Sequence, residues 1–86
     1  MVKHSIEISR TAEKQLEALP RREAVRVLQA IQRLETNARP TGCRKLEGHS
    51  NTFRVRVGMY RIIYDVDDYR VVIVVLKVGH RRDIYR

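Results

Sequence analysis

Phe53-Arg54-Val55-Arg56-Val57-Gly58-Met59-Tyr60-Arg61-Ile62-Ile63-Tyr64 reads as a β-hairpin with its arginines on one face and its apolar side chains on the other. Phe53, Val55 and Val57 alternate with Arg54 and Arg56, the period of a half-buried strand, and Tyr60, Ile62 and Tyr64 repeat that parity against Arg61 and Ile63. Gly58-Met59 is the turn. Glycine at the first central position suits a type II′ loop, which predicts the pairs Val57 with Tyr60, Arg56 with Arg61, Val55 with Ile62 and Phe53 with Tyr64. Arg56 and Arg61 then face each other as like charges, an arrangement that costs a few tenths of a kcal/mol, on the order of 0.2–1, unless an anion lies between them. A merely solvated arginine face is the plain alternative.

Working outward, Val2 to Ile8 alternates and leads to Ser9, a good N-cap, after which Ala12, Leu16 and Leu19 recur at helical spacing. Pro20 ends that helix and opens the next, where Val25, Leu28, Ile31 and Leu34 fall three apart and Val27 and Ala30 widen the stripe as far as Asn37. So short a connection makes the two helices antiparallel neighbours. Beyond them, Arg44 to Glu47 is a short candidate strand, Gly48 to Asn51 a loop, and Asp65 to Tyr69 a second turn. Val71 to Val78 is the strongest strand, its near-continuous apolar run pointing to burial on both faces. A two-residue turn at Asp67-Asp68 would aim Lys77 at the helices. A three-residue turn sends Val72, Val74, Leu76 and Val78 there and leaves Lys77 beside the arginines, with Val71, Ile73 and Val75 on that same face. The second is expected, because burying an unpaired lysine costs more than changing turn type. The fold class is therefore α+β, a two-layer sandwich in which an N-terminal antiparallel helix hairpin packs on a mainly antiparallel β-sheet of about four strands.

The 86 residues make one domain, 1–86, too small to bury much surface in reserve. Lys plus Arg number 18 against 10 Asp plus Glu, a net charge of +8 that points to a polyanion, with nucleic acid first and an acidic protein second. The charge does not line one amphipathic helix with aromatic anchors, so a membrane surface fits less well. Cys43 is the single cysteine, which excludes an intrachain disulfide, and no stretch reads as a signal peptide or membrane span, so a cytoplasmic location is expected.

Familiar catalytic spacings do not occur. His4, His49 and His80 stand apart without ligand-spaced partners, no glycine-rich phosphate loop is present, and Asp65, Asp67 and Asp68 suit ordinary turn chemistry, so neither a metal nor a cofactor is called for. The tail differs. Gly79-His80-Arg81-Arg82-Asp83-Ile84-Tyr85-Arg86 follows the last strand and can fold over the arginine face, bringing Arg54, Arg56, Arg61, Arg81 and Tyr85 to one phosphate. A solvated tail is the alternative. Arginine stabilises a pentavalent transition state but shuttles protons poorly, which leaves Tyr85 as general base and His80 as a weaker candidate acid. With RNA the 2′-OH is itself the nucleophile.

Three stretches, Lys45-Leu46-Glu47-Gly48, Phe53 to Tyr64, and Val78-Gly79-His80-Arg81-Arg82-Asp83-Ile84-Tyr85, resemble RelE-type toxins of the RelE/ParE superfamily from toxin-antitoxin pairs. The resemblance implies a ribosome-dependent endoribonuclease that cleaves messenger RNA in the A site by metal-free attack of the 2′-OH, held in check by a RelB-like antitoxin that wraps it. Operator DNA would be met only through the antitoxin complex. It places catalysis on Arg54, Arg56, Arg61, Arg81 and Tyr85, with Lys45, Lys77, Arg82 and Arg86 as further substrate contacts. The two strand positions are often lysine in the family. The likeness ends just past Tyr85 without a further helix, so the outer face is expected to rely on an antitoxin segment for cover. ParE-type relatives, which share the fold but poison DNA gyrase and generally lack the full basic-plus-tyrosine set, are one rival, and a non-catalytic antitoxin-binding or repressor partner is another.

Overall fold

In the computed structural model, which describes residues 3–80 and 82, five strands form one sheet: β1 (Ser5–Ile8), β2 (Arg44–Lys45), β3 (Thr52–Val57), β4 (Tyr60–Asp67) and β5 (Val72–His80). Their order is β1-β5-β4-β3-β2, with β1 parallel to β5 and every other pair antiparallel. Helices α1 (Arg10–Glu17) and α2 (Arg21–Arg33) cover one face. None of the described helices is long and apolar enough to cross a membrane.

The β3–β4 hairpin has the predicted register, Val57 opposite Tyr60 and Arg56 opposite Arg61. Gly58 takes φ +60°, a conformation that favours glycine, and a Cβ there would meet the tip of the Arg26 side chain of α2 at 3.3 Å, a contact that the exposed guanidinium can relieve. Parity sends Phe53, Ile62, Tyr64 and Val66 to the helix side, where they meet Ala12 and Leu16 of α1 and Val27, Ile31 and Leu34 of α2. Burying each large aliphatic side chain contributes about 1.5–3 kcal/mol.

Two expectations are corrected. The stripe of α2 runs through Val27, Ile31 and Leu34, while Val25 and Leu28 stay 46% and 39% exposed. Residues three apart drift by about 60° per step from a fixed face of a 3.6-residue helix, so a stripe read at strict threes rotates into solvent at its far end. In β5, Ile73 and Val75 rather than Val72 and Val74 enter the core, yet Val78 does too. A bulge explains both: Ile63 pairs with Lys77 and Tyr64 with Val75, so Leu76 is an extra residue and the parity flips there. Lys77 thereby reaches the exposed outer face without a cost in core packing. The loop feeding β5 has four residues, 68–71, and ends on Val71 at φ 58°. A β-branched residue in that region is strained.

The backbone of β5 runs past the end of β1, whose last partner is Val75. There α1 substitutes for a strand. Ser9 caps α1 by accepting from the Ala12 N–H at 3.0 Å and donates its hydroxyl to the Leu76 carbonyl at 2.9 Å, while Gln15 Oε1 accepts the Val78 N–H at 2.7 Å. These contacts satisfy main-chain groups that the bulge and the missing neighbour would otherwise leave unmade.

Two polar contacts tie down the loops. The fully buried Tyr64 donates its hydroxyl to the Ala38 carbonyl at 2.8 Å, fixing the segment after α2, and burial together with nearby Cys43 pushes the phenol pKa up. Asp68 receives Arg39 Nη2 at 2.7 Å and His4 Nε2 at 3.3 Å, and the Arg39 hydrogen bond, followed by that of His4, holds its carboxyl below the usual carboxylate range.

Removing the Tyr64 hydroxyl leaves the Ala38 carbonyl without its partner, so Tyr64→Phe is expected to lower stability by about 1–3 kcal/mol in a chemical-denaturation experiment. Asp68 contributes stability above its unfolded pKa and loses it as pH falls through the depressed folded value. Asp68→Asn should therefore lower the melting temperature slightly at neutral pH, with the difference from wild type closing on acidification.

Candidate active site

Because directly paired residues share a face, the register alone defines the outer surface of the sheet. Arg44 pairs with Arg54 across β2–β3, and Arg56 pairs with Arg61 across β3–β4. These four arginines and Gly42 line an open depression of about 340 Å³. Arg54 is also opposite Ile63, which pairs in turn with Lys77, so one row of the outer face reads Arg44, Arg54, Ile63, Lys77 across four strands. Ile63 is only 7% exposed despite facing outward, giving the basic surface an apolar floor.

The structure brings Arg54, Arg56 and Arg61 together as expected and places Lys77 on their face through the β5 bulge. It separates two other candidates from them. Lys45 pairs with Phe53, a parity that belongs to the helix side, although it lines a neighbouring depression with Arg44 and Arg54. His80 pairs with Tyr60 and its ring meets the Tyr60 ring edge-on at 5.9 Å, so it takes the helix-side parity while Gly79 sits opposite Arg61. Register thus puts His80 on the parity opposite to that of Arg61. Arg82 is exposed and its backbone N–H donates to His80 Nδ1 at 3.3 Å. Arg81, Tyr85 and Arg86 lie outside the described residues.

Arg44 is the member of the depression that sequence reasoning missed. Its signal was the parity of β2: Cys43 packs against the core and Lys45 pairs with the core residue Phe53, which leaves Arg44 facing outward between them. A two-residue strand has too short an alternation to announce itself.

Four guanidinium groups on a shallow surface can grip phosphodiester oxygens in pairs and stabilise negative charge that grows on them in a transition state. The described lining consists of guanidinium groups and a glycine, with no histidine, carboxylate or phenol among them. Tyr64 is buried on the far side with its pKa raised, so it supplies no base here. The described face can act as an anion clamp.

Comparison with known proteins agrees with this architecture. Residues 6–85 match the family model described as the ParE toxin of the type II toxin-antitoxin system parDE. The putative toxin RelE1 of Methanocaldococcus jannaschii is 30% identical over 90 residues, covering 99% of this chain and 98% of that protein. Toxin RelG of Mycobacterium tuberculosis is 49% identical over 37 residues, which span 43% of this chain and 42% of that protein. Among solved structures, the archaeal RelE-RelB complex from Pyrococcus horikoshii superposes with a TM-score of 0.83 at 31% identity, over 95% of this chain and 99% of that one. The helix hairpin, the five-stranded sheet and the near full-length family match lead to one conclusion: the chain belongs to the RelE/ParE superfamily of type II toxin-antitoxin toxins.

Proposed function

We propose that this toxin is a ribosome-dependent endoribonuclease whose outer arginine face holds messenger RNA in the ribosomal A site, and that a RelB-like antitoxin neutralises it. The observation that carries the reading is the convergence of Arg54, Arg56 and Arg61 on one open depression. Arginines paired across strands, such as Arg56 and Arg61, suit a phosphate held between them. In this mechanism the RNA 2′-OH attacks the adjacent phosphorus, the 5′-oxygen of the next nucleotide leaves, and a 2′,3′-cyclic phosphate forms. The arginines stabilise the extra charge on the phosphoryl oxygens as the fifth bond develops. In the proposed step Tyr85 takes the 2′-OH proton, a water molecule protonates the leaving 5′-oxygen, and Arg81 completes the clamp. A toxin of this kind needs no bound metal or cofactor, because the substrate brings its own nucleophile.

The partner follows from the same charges. An acidic antitoxin segment laid over the face would compete with RNA for them. Cytoplasmic action and operator contact only within the antitoxin complex belong to this reading. The alternative is a ParE-type gyrase poison, favoured by the description of the family model that matches residues 6–85.

Induced expression followed by mapping of RNA ends separates the two. Cuts inside translated codons, lost in Arg61→Ala and Tyr85→Phe while both variants still fold, are expected; each substitution should lower cleavage by about 10²-fold or more, the scale of losing one transition-state contact. Intact messages accompanied by DNA damage would establish the gyrase reading instead.

A further inference from the structure

The outer face reverses charge along its strands. On β4 its positions are Arg61, Ile63, Asp65 and Asp67, and the register carries that order across the sheet. Toward the hairpin turn the face holds Arg44, Arg56 and Lys77. Toward the other end Asp65 pairs with Val74, Val74 with Glu7 of β1, and Asp67 with Val72. Glu7 is exposed, while Asp65, Asp67, Val72 and Val74 are half-buried. Each end has its own open depression, about 340 Å³ beside Arg44 and Arg56 and about 430 Å³ beside Asp65, Asp67 and Val74. With Ile63 between them, the face reads basic, apolar, acidic over about 20 Å, the distance from Arg61 to Asp67 at about 3.3 Å per residue.

No ligand of a single charge sign fits such a surface throughout. A phosphate chain is attracted to the arginine end and repelled by Asp65, Asp67 and Glu7, which confines RNA to part of the face, and a wholly acidic peptide meets the same repulsion. A helix suits the whole face. It satisfies its own main-chain groups, lays an apolar stripe on the sheet as a second helical layer, and needs about 13 residues to span the length. We propose that the antitoxin segment covering this face is a charge-polarised helix. Its acidic side chains lie over Arg44, Arg56 and Lys77, its apolar stripe over Ile63 and Val74, and its Lys or Arg side chains over Asp65, Asp67 and Glu7. The inference rests on the antitoxin part of the proposed function and gives that partner its chemistry. RNA and antitoxin then overlap only at the arginine end.

Two synthetic peptides of about 16 residues, sharing one apolar stripe at helical spacing, test this. One is acidic in its first half and basic in its second, and the other is acidic throughout. Binding to the full-length toxin is read by fluorescence anisotropy at about 0.15 M salt, where attraction to the net +8 chain is screened beyond about 8 Å. The wild type should bind the polarised peptide at least about threefold more tightly, although that peptide carries less negative charge. Glu7→Gln combined with Asp67→Asn, which keeps the acceptor that Asp67 offers the Arg70 N–H, should lower this preference by about three- to tenfold, and Glu7→Lys alone should lower it too. Comparing the same two peptides on each toxin cancels their own differences in helicity. Equal or tighter binding of the all-acidic peptide by the wild type, the behaviour of a face built for a polyanion, would overturn the proposal, as would a preference unchanged in both variants. Those outcomes leave a plainly acidic antitoxin in place, whereas binding of neither peptide would defeat the antitoxin reading of this face together with the proposal.

Discussion

The pairing of β3 with β4 through the turn at Gly58-Met59 is the constraint on which the rest of the structure depends. A one-residue slip would move Arg54, Arg56 and Arg61 into the core and expel Phe53, Ile62 and Tyr64. Glycine at φ +60° fixes the turn, and the Arg26 side chain of α2 lies beside it. Once that register is set, the two faces of the sheet have no freedom to exchange roles. One takes the helices, and the other carries the arginines.

The chemistry of the outer face follows from charge placed where burial cannot neutralise it. A small domain with little stability to spare places two arginine pairs face to face on adjacent strands. On the proposed reading, messenger RNA and an acidic antitoxin segment compete for these cations, which links toxicity and neutralisation to one surface. Binding of either should raise the melting temperature by mass action. On the helix side, Ser9 and Gln15 tie α1 to β5, and the buried Tyr64–Ala38 hydrogen bond ties β4 to the segment after α2.

Much of this was legible in the amino-acid order because local rules and the global fold agree there. Alternation plus a single glycine was enough to define the β3–β4 register to the residue, and Ser9 announced the start of α1. The failures have physical causes. Strict three-residue spacing in α2 was mistaken for a buried stripe, although only Val27, Ile31 and Leu34 hold to the helical period on the core side. In β5, turn length was weighed as the sole means of setting parity, whereas the bulge at Leu76 changes parity mid-strand and lets both Val75 and Val78 enter the core with Lys77 outside. No local residue type marks such a bulge; it comes from the demand that both ends of a long apolar strand be buried. His80 follows Gly79 by one residue of parity, which places it on the face opposite Arg61. Arg44 went unread because β2 is two residues long.

The central claim is that the outer arginine face, and not the basic charge of the chain in general, engages RNA. Arg21, Arg22 and Arg33 on α2 provide the internal control, since they carry the same charge on the opposite layer. Titrating isotopically labelled toxin with a short uncleavable single-stranded RNA and following its amide resonances by NMR tests this most directly. The account predicts saturable shifts at Arg44, Arg54, Arg56 and Arg61, with α2 unchanged. Shifts concentrated on α2, or spread evenly over both layers, would contradict it.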